Sequence, residues 1–410
     1  MTEAPGATAD IRIDRPAQGG EFIGTLDGRI VLVRGAMAGE VARVRFDDPN
    51  AKLLRGAAED ILEPSSHRVD TSCPAARAGA GCCDWAYIDN ATAIRFKAAI
   101  IADALRRIGR FTAAELPDVI DSTSLKPSTG WRTRVRLGVD DNGRAGLRKR
   151  HSRDLVVATG CTQVVDGLLD GVGTEGFCPP GGELHAVIDA DGARHVMHRA
   201  APERGVRGAK GKRPAATVIE GTPTAEHIVA GRRFEVAVDG FWQAHSGAAQ
   251  YYYDRVLNWL TPATGATAWD LYGGVGVLAA ALAQIVGDSG HVDSVEAAPS
   301  AAPAGTKALT GLPVTMHTAR VENCVAKLAE TSAPRIVVLD PPRTGAGNKV
   351  ISQVSAAGPE QVMHIGCDPA TFARDLRSWA DHGYRIDRLE AIDAFPNTHH
   401  VEAIALLHKK

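Results

Sequence analysis

No stretch of the chain approaches the roughly 18 to 20 consecutive apolar residues that a membrane helix requires. The opening residues, MTEAPGATADIRIDRP, lack the basic start and apolar centre of a secretory signal, so a cytoplasmic protein with no membrane partner is expected. Positive charge is not in excess: 46 Lys and Arg against 48 Asp and Glu leave a net charge of −2, and bulk charge therefore names no polyanionic partner. Aromatic residues are sparse, at 5%. An odd number of cysteines, seven, in a chain without a signal argues against a disulfide framework and leaves metal binding, catalysis or plain burial.

What is present is enough for more than one folded unit. At 410 residues the chain can bury two or three cores. Charge is unevenly spread, with basic runs GLRKRHSR at 146–153 and RGVRGAKGKRP at 204–214; such runs hold phosphates or are simply solvated loops. Residues 10–64 contain short β-branched runs separated by Gly, Asp and Asn, which predicts a small β-barrel or sandwich. Over residues 92–111, Ile94, Ala98, Ile101, Leu105 and Ile108 recur at spacings of three and four, which predicts a helix. Strand-like runs with Gly- and Pro-rich connections follow over 130–235 and read as a mixed α/β segment. From about residue 236 each apolar run leads through a turn into a helical pattern, the signature of a doubly wound α/β domain. The expected units are 8–65, 66–235 and 236–410.

In WDLYGGVGVLAAALA an apolar strand ends in Asp270 and a turn with Gly273, Gly274 and Gly276 before an Ala-rich helix. Glycines there allow a tight turn and close approach of backbone to a ligand at a helix N-terminus. A dinucleotide site wants G-x-G-x-x-G, and the third glycine is missing. Glu296 ends the next strand, HVDSVE, where a carboxylate would accept hydrogen bonds from ribose hydroxyls. Together these features favour S-adenosylmethionine over NAD. Asp340 ends a further strand in IVVLDPPRTG, and Arg343 follows it, either to meet a phosphate or to pair with an acid. Cys367 follows the strand QVMHIGC and precedes a helix opened by Asp368 and Pro369, whose N-terminus would lower a nearby thiol's pKa. As a fragment it reads as filler, metal ligand or nucleophile.

A methyl donor and a thiol in one cleft suggest a specific chemistry. Carbon 5 of uracil is too weak a nucleophile to take a methyl group unaided. Addition of a thiolate at carbon 6 makes carbon 5 nucleophilic, and a base must afterwards remove the carbon 5 proton. Glu402, in the Pro-, Asn- and His-rich turn AFPNTHHVE before the last apolar run, is the candidate base.

DLYGGVG, DPPRTG, GCDPATFARDL and FPNTHHVE resemble, in order and spacing, the motifs of the class I S-adenosylmethionine-dependent RNA uracil-5-methyltransferases. The resemblance implies a Rossmann-like methyltransferase domain, an N-terminal OB-like barrel of the TRAM type that binds RNA, and a central mixed α/β domain. It makes Cys367 the nucleophile and Glu402 the base. Gln243, Tyr272, Gly273, Gly276, Glu296 and Asp340 become the cofactor contacts. His245 stands where that family has Asn, and MHTARVEN lacks the acid often found after the third strand. The resemblance also implies a [4Fe-4S] cluster on Cys73, Cys82, Cys83 and Cys161, although the family's C-x-x-C is here an adjacent Cys-Cys pair. A monomer acting on ribosomal or transfer RNA is expected. The alternatives are methylation of cytosine carbon 5 and a non-catalytic RNA-binding protein.

Overall fold

The computed structural model describes residues 7–150, 152–157, 160–201 and 214–410. Strict alternation of apolar and polar side chains builds five strands, β1 (Thr8–Pro16), β2 (Phe22–Leu26), β3 (Arg29–Arg34), β4 (Val41–Phe46) and β5 (Leu54–Glu63). In β4, Ala42, Val44 and Phe46 are buried while Arg43 and Arg45 face out, and a one-residue slip would reverse every one of them. The strands close in the order β1-β2-β3-β5-β4. Closure leaves no open edge.

After a short turn of helix, α1 (Pro74–Arg77), comes α2 (Asn90–Arg107), capped by Asp89, whose side chain accepts from the Thr92 N–H. Ile94, Ile101 and Leu105 lie on its buried face as their spacing predicts, but Ile108 falls beyond the helix end and is 41% exposed. Lys97, unremarked in the sequence, is also on the buried face. Ala93 and Ile100 complete the barrel core with Ile13, Phe22 and Val33, whereas Ile101 and Leu105 enter the core of the C-terminal sheet. One helix therefore cements both units.

Next comes β6 (Asp121–Ser124), then β7 (Arg134–Val139), β8 (Ala145–Arg148), β9 (Leu155–Val157), β10 (Glu183–Ile188), β11 (Arg194–Arg199) and β12 (Ala216–Glu220). The last six form one antiparallel sheet in the order β12-β11-β10-β7-β8-β9. A hairpin of β13 (Thr224–Val229) and β14 (Arg232–Ala237) follows, and Ala230 and Gly231, both at positive φ, make its two-residue turn. Among the described residues of 130–235 there are strands and turns but no helix, because the Gly- and Pro-rich connections fold into hairpins. Residues 204–213 of the second basic run lie outside the described residues.

The C-terminal part begins with α3 (Ala248–Trp259) and continues β15 (Thr267–Leu271), α4 (Val277–Val286), β16 (His291–Glu296), α5 (Ala301–Ala308), β17 (Val314–Thr318), α6 (Val321–Thr331), β18 (Ile336–Leu339), α7 (Gly347–Ala357), β19 (Gln361–Gly366), α8 (Pro369–Asp381), β20 (Tyr384–Asp393) and β21 (Glu402–Lys409). The sheet order is β17-β16-β15-β18-β19-β21-β20-β6, with β21 alone running against its neighbours. Near-continuous apolar strands such as IVVL are covered on both faces. Val338 and Ile365 pack under α3 and α4 on one side, and Leu339 and Val362 under α2, α6, α7 and α8 on the other. This is a doubly wound α/β domain with β6, drawn from before the central sheet, paired in parallel to its outer strand β20. No described helix is long and apolar enough to cross a membrane.

Candidate active site

The strand order turns back at β15, with β16 on one side and β18 on the other, and it is at such a switch point, beyond the carboxyl ends of the parallel strands, that open α/β sheets hold ligands in a crevice. Tyr272, Glu296 and Asp340 all stand on that rim. The turn after β15 is tightly built. A Cβ on Gly273 would meet Asp270 Oδ2 and Ser294 Oγ at 2.3 Å, so no larger residue fits. Gly276 caps α4 at φ +85°, and Tyr272 adopts φ +64°, a strained choice for a residue with a side chain. The Gly274 N–H donates to Glu296 Oε2 at 3.1 Å and the Ala298 N–H to Oε1 at 2.7 Å. Each carboxylate oxygen keeps a free lone pair for a ligand hydroxyl. Asp270 accepts from Ser294 Oγ at 2.9 Å, its other oxygen is buried with no hydrogen-bond partner among the described residues, and burial pushes its pKa up to about 7.

Cys367 and Glu402 meet through strand register. Antiparallel β21 brings its N-terminal end to the edge where β19 has its C-terminal end, and the last ladder pair is Gly366 with Ala403. Cys367 follows that pair by one residue and Glu402 precedes it by one, close enough for Glu402 to act electrostatically on the thiol. Glu402 is 8% exposed, and burial, reinforced by Asp340, raises its pKa well above the carboxylate range while Arg343 and Lys97 oppose the rise. Burial likewise pushes Asp340 up to about 7.

Asp368 caps α8, accepting from the Thr371 N–H at 2.9 Å, with Pro369 in the first turn. The helix N-terminus therefore lies where the sequence predicts, but the thiol's pKa moves the other way. Burial first, then Glu402 and Asp340, push Cys367 up to about 12 against the pull of Arg343. Desolvation and two nearby acids outweigh the one nearby cation. The free site holds Cys367 as a thiol.

Two residues that sequence reasoning missed adjoin this group. Tyr252 on α3 is 3% exposed, its hydroxyl is buried with no partner among the described residues, and burial followed by Glu402, Asp340 and Cys367 raises its pKa. In YYYDRV nothing distinguishes it from a core aromatic. Lys97 gave a signal, since a charge inside the apolar stripe of α2 is the informative exception.

Gln243 is half-buried on the segment between β14 and α3. Its neighbour Trp242 stacks on His227 at 4.5 Å. His245 is a bracket: Nδ1 accepts from the Gly247 N–H at 3.0 Å, Nε2 donates to the Pro127 carbonyl at 3.1 Å, and the ring stacks on Trp131. Burial keeps it neutral by lowering its pKa.

The four cysteines gather in one apolar cluster of their own. Cys82 Sγ lies 3.7 Å from Cys83 Sγ, and Cys83 Sγ 4.0 Å from Cys73 Sγ, which also contacts Cys161. Gln163 Nε2 donates to Cys83 Sγ and to the Pro396 carbonyl, each at 3.0 Å. Arg132, whose Nε has no partner among the described residues and whose pKa is lowered by burial, feels Cys82, Cys161 and Cys83. A buried cation beside three of these four thiols favours their ionised form. As packed, however, the sulfurs touch one another, and no group of three or more His, Cys, Asp or Glu among the described residues is arranged around a single ion.

Comparison with known proteins bears on this geometry. A family model described as tRNA (uracil-5-)-methyltransferase matches residues 278–410. An uncharacterized RNA methyltransferase of Corynebacterium glutamicum is 43% identical, the match covering 98% of this chain and 97% of that one. One of Streptomyces coelicolor is 33% identical over 98% and 93% of the two chains. The crystal structure of Pyrococcus abyssi tRNA (uracil-54, C5)-methyltransferase with S-adenosyl-L-homocysteine is similar in fold, with a TM-score of 0.69 at 18% identity over 98% of this chain and all of that one.

Proposed function

The chain belongs to the S-adenosylmethionine-dependent RNA uracil-5-methyltransferase family, and from that premise we propose that it methylates carbon 5 of a uridine in ribosomal or transfer RNA through a covalent adduct on Cys367. The observation that carries this reading is the meeting of Cys367 and Glu402 at facing ends of β19 and β21 on the ligand edge of the sheet. Cys367 gives up its proton to solvent and its sulfur bonds to carbon 6, sending electrons into the ring as an enolate. Carbon 5 then takes the methyl group from the sulfonium, which leaves as the neutral sulfide. Glu402 removes the carbon 5 proton, the freed electron pair forms the C5–C6 double bond, and the C6–S bond breaks to return the thiolate.

The raised pKa values fit this sequence. A thiol near pKa 12 is almost wholly protonated at neutral pH, and a sulfonium bound beside Asp340, Cys367 and Glu402 adds the positive charge that lowers all three. Once ionised, a carboxylate held above its usual range is a strong base for a carbon-bound proton. Gln243, Tyr272, Gly273, Gly276, Glu296 and Asp340 are the proposed cofactor contacts, with Glu296 on the ribose hydroxyls.

The target uridine must leave its stack to reach the crevice, which favours a loop or bulge of the RNA. The barrel is the proposed TRAM-like RNA-binding unit. In support, Gln18, between β1 and β2, donates to Asp368 at 2.7 Å, so the barrel rim borders the nucleophile. The proposed units remain 8–65, 66–235 and 236–410, acting as a cytoplasmic monomer. Cys73, Cys82, Cys83 and Cys161 are the proposed ligands of a [4Fe-4S] cluster, which iron and sulfide analysis of anaerobically purified protein would test. When bound, such a cluster would brace the turn before Glu402 through Gln163.

Incubation with methyl-labelled S-adenosylmethionine and total RNA, followed by nucleoside analysis, tests the function. Label should appear in 5-methyluridine. Label in cytosine, or none in RNA, would overturn the reading. Mapping the 5-methyluridine lost from a deletion strain would identify the RNA.

A further inference from the structure

Lys97 does more than fill α2's buried face. Its side chain and that of Asp393, the last residue of β20, are both 0% exposed, and Nζ donates to Asp393 Oδ1 at 2.5 Å and to the Phe395 carbonyl at 3.1 Å. From there a continuous set of bonds crosses the turn that leads to Glu402. Asp393 Oδ1 also accepts from the Phe395 N–H at 3.2 Å. The Phe395 carbonyl accepts from Thr398, from Oγ1 at 2.8 Å and from the N–H at 3.2 Å. Thr398 Oγ1 in turn accepts from the His400 N–H at 3.2 Å. Two residues later stands Glu402.

Stability alone gives little reason for a buried ion pair here. Desolvating two charges often exceeds their mutual attraction, and a well-packed apolar pair would hold the helix to the sheet as firmly. What the pair adds is direction, since an ammonium bound to both a carboxylate and a carbonyl fixes the start of the turn relative to α2. The same helix enters the barrel core and the sheet core, so it ties the turn to both.

We infer that Lys97 is a positioning residue for proton abstraction: from beneath the Asp393–Glu402 turn it holds the Glu402 carboxylate at carbon 5 of the methylated adduct, without touching the substrate. This rests on the reading of Glu402 as the base. The groups facing Glu402 are Asp340, Arg343, Cys367 and Tyr252, with Lys97 the cation on the α2 side. Loss of Lys97 therefore both loosens the turn and removes a charge that favours ionised Glu402.

The test is single turnover by full-length protein with labelled S-adenosylmethionine and RNA, with the protein–RNA adduct read on denaturing gels. Glu402→Gln is the reference. It should trap the adduct, and absence of an adduct there refutes the base assignment itself. Given trapping by Glu402→Gln, Lys97→Met should bind S-adenosylmethionine as the parent does and transfer methyl to the adduct. It should release product about 10- to 100-fold more slowly, within the roughly 10²- to 10⁴-fold that a general base contributes, and the pH of half-maximal release should move upward. Unchanged release, or slower turnover without adduct, overturns the inference. Should Lys97→Met not fold, the double variant Lys97→Met with Asp393→Leu replaces the pair by apolar side chains. Adduct accumulation in it supports the positioning role, and its absence, or failure of that protein to fold as well, reduces Lys97 to a structural residue.

Discussion

The crevice and the cysteine cluster both adjoin the turn from Ala394 to Val401, through Glu402 at its end and through Gln163, which bonds Cys83 and the Pro396 carbonyl, and they are held in different ways. Cys367, Asp340, Glu296 and Glu402 sit at the ends of strands whose register is set by apolar ladders on both faces. The four thiols come from three loops and are set by single side-chain bonds such as those of Gln163. Groups fixed by a sheet have one arrangement, because a slip would turn an entire strand inside out. Groups fixed by loops move with their neighbours, which leaves room for sulfurs now in contact to spread around a cluster.

The largest expected difference is in chemistry. Cys367→Ala should abolish methyl transfer, a loss of more than about 10³-fold for a nucleophile acting with its base, while S-adenosylmethionine binding by calorimetry is retained. Cys161→Ser should leave adduct formation measurable and instead lower iron content. If both variants lose transfer equally while remaining folded, the division between the two regions fails.

A smaller effect concerns thiol reactivity. Because Cys367 is pushed up to about 12, alkylation of Cys367 followed by peptide mass spectrometry should be slow at pH 7 and rise with pH. Cys82, whose pKa is lowered chiefly by its contact with Cys83, should react sooner in cluster-free protein. S-adenosylmethionine should speed alkylation of Cys367, and the neutral S-adenosylhomocysteine should not. Equal acceleration by both would show that the sulfonium charge plays no part.

The smallest effect is on stability. The pKa of Asp270 rises from an ordinary 3.8 to about 7 through burial. A raised acid contributes stability that is complete below its unfolded pKa and is lost as pH rises through the folded one. Asp270→Asn should therefore leave Tm little changed near pH 4 and raise it above pH 7, by about 2–4 °C for each kcal/mol recovered. A gain at acid pH instead would contradict the burial argument.

Sequence legibility follows the same division. The strand-turn-helix alternation after residue 236 made the doubly wound domain readable, because each motif falls where an apolar run stops. Short β-branched runs between Gly, Asp and Asn turns likewise announced the barrel. By contrast, the pairing of β6 with β20 joins residues about 270 apart in sequence, and no local pattern encodes it. Hairpins over 130–235 looked like mixed α/β because a short apolar run has no period of its own. In the candidate site, Cys367 and Glu402 were readable as residue types at strand ends, whereas the upward shift of the thiol's pKa depends on how many acids the fold crowds around it. Tyr252 was invisible among three consecutive tyrosines, and Lys97 was visible only as a charge on an apolar helix face.

The proposed chemistry stands or falls on the bond between Cys367 and carbon 6. RNA carrying 5-fluorouridine offers no removable proton at carbon 5, so a reaction through that bond stops at the methylated adduct. Digestion and mass spectrometry of the stalled protein–RNA species should find the peptide containing Cys367 carrying a methylated fluorouridine. An adduct on any other cysteine, or methyl transfer with no adduct at all, would contradict the account.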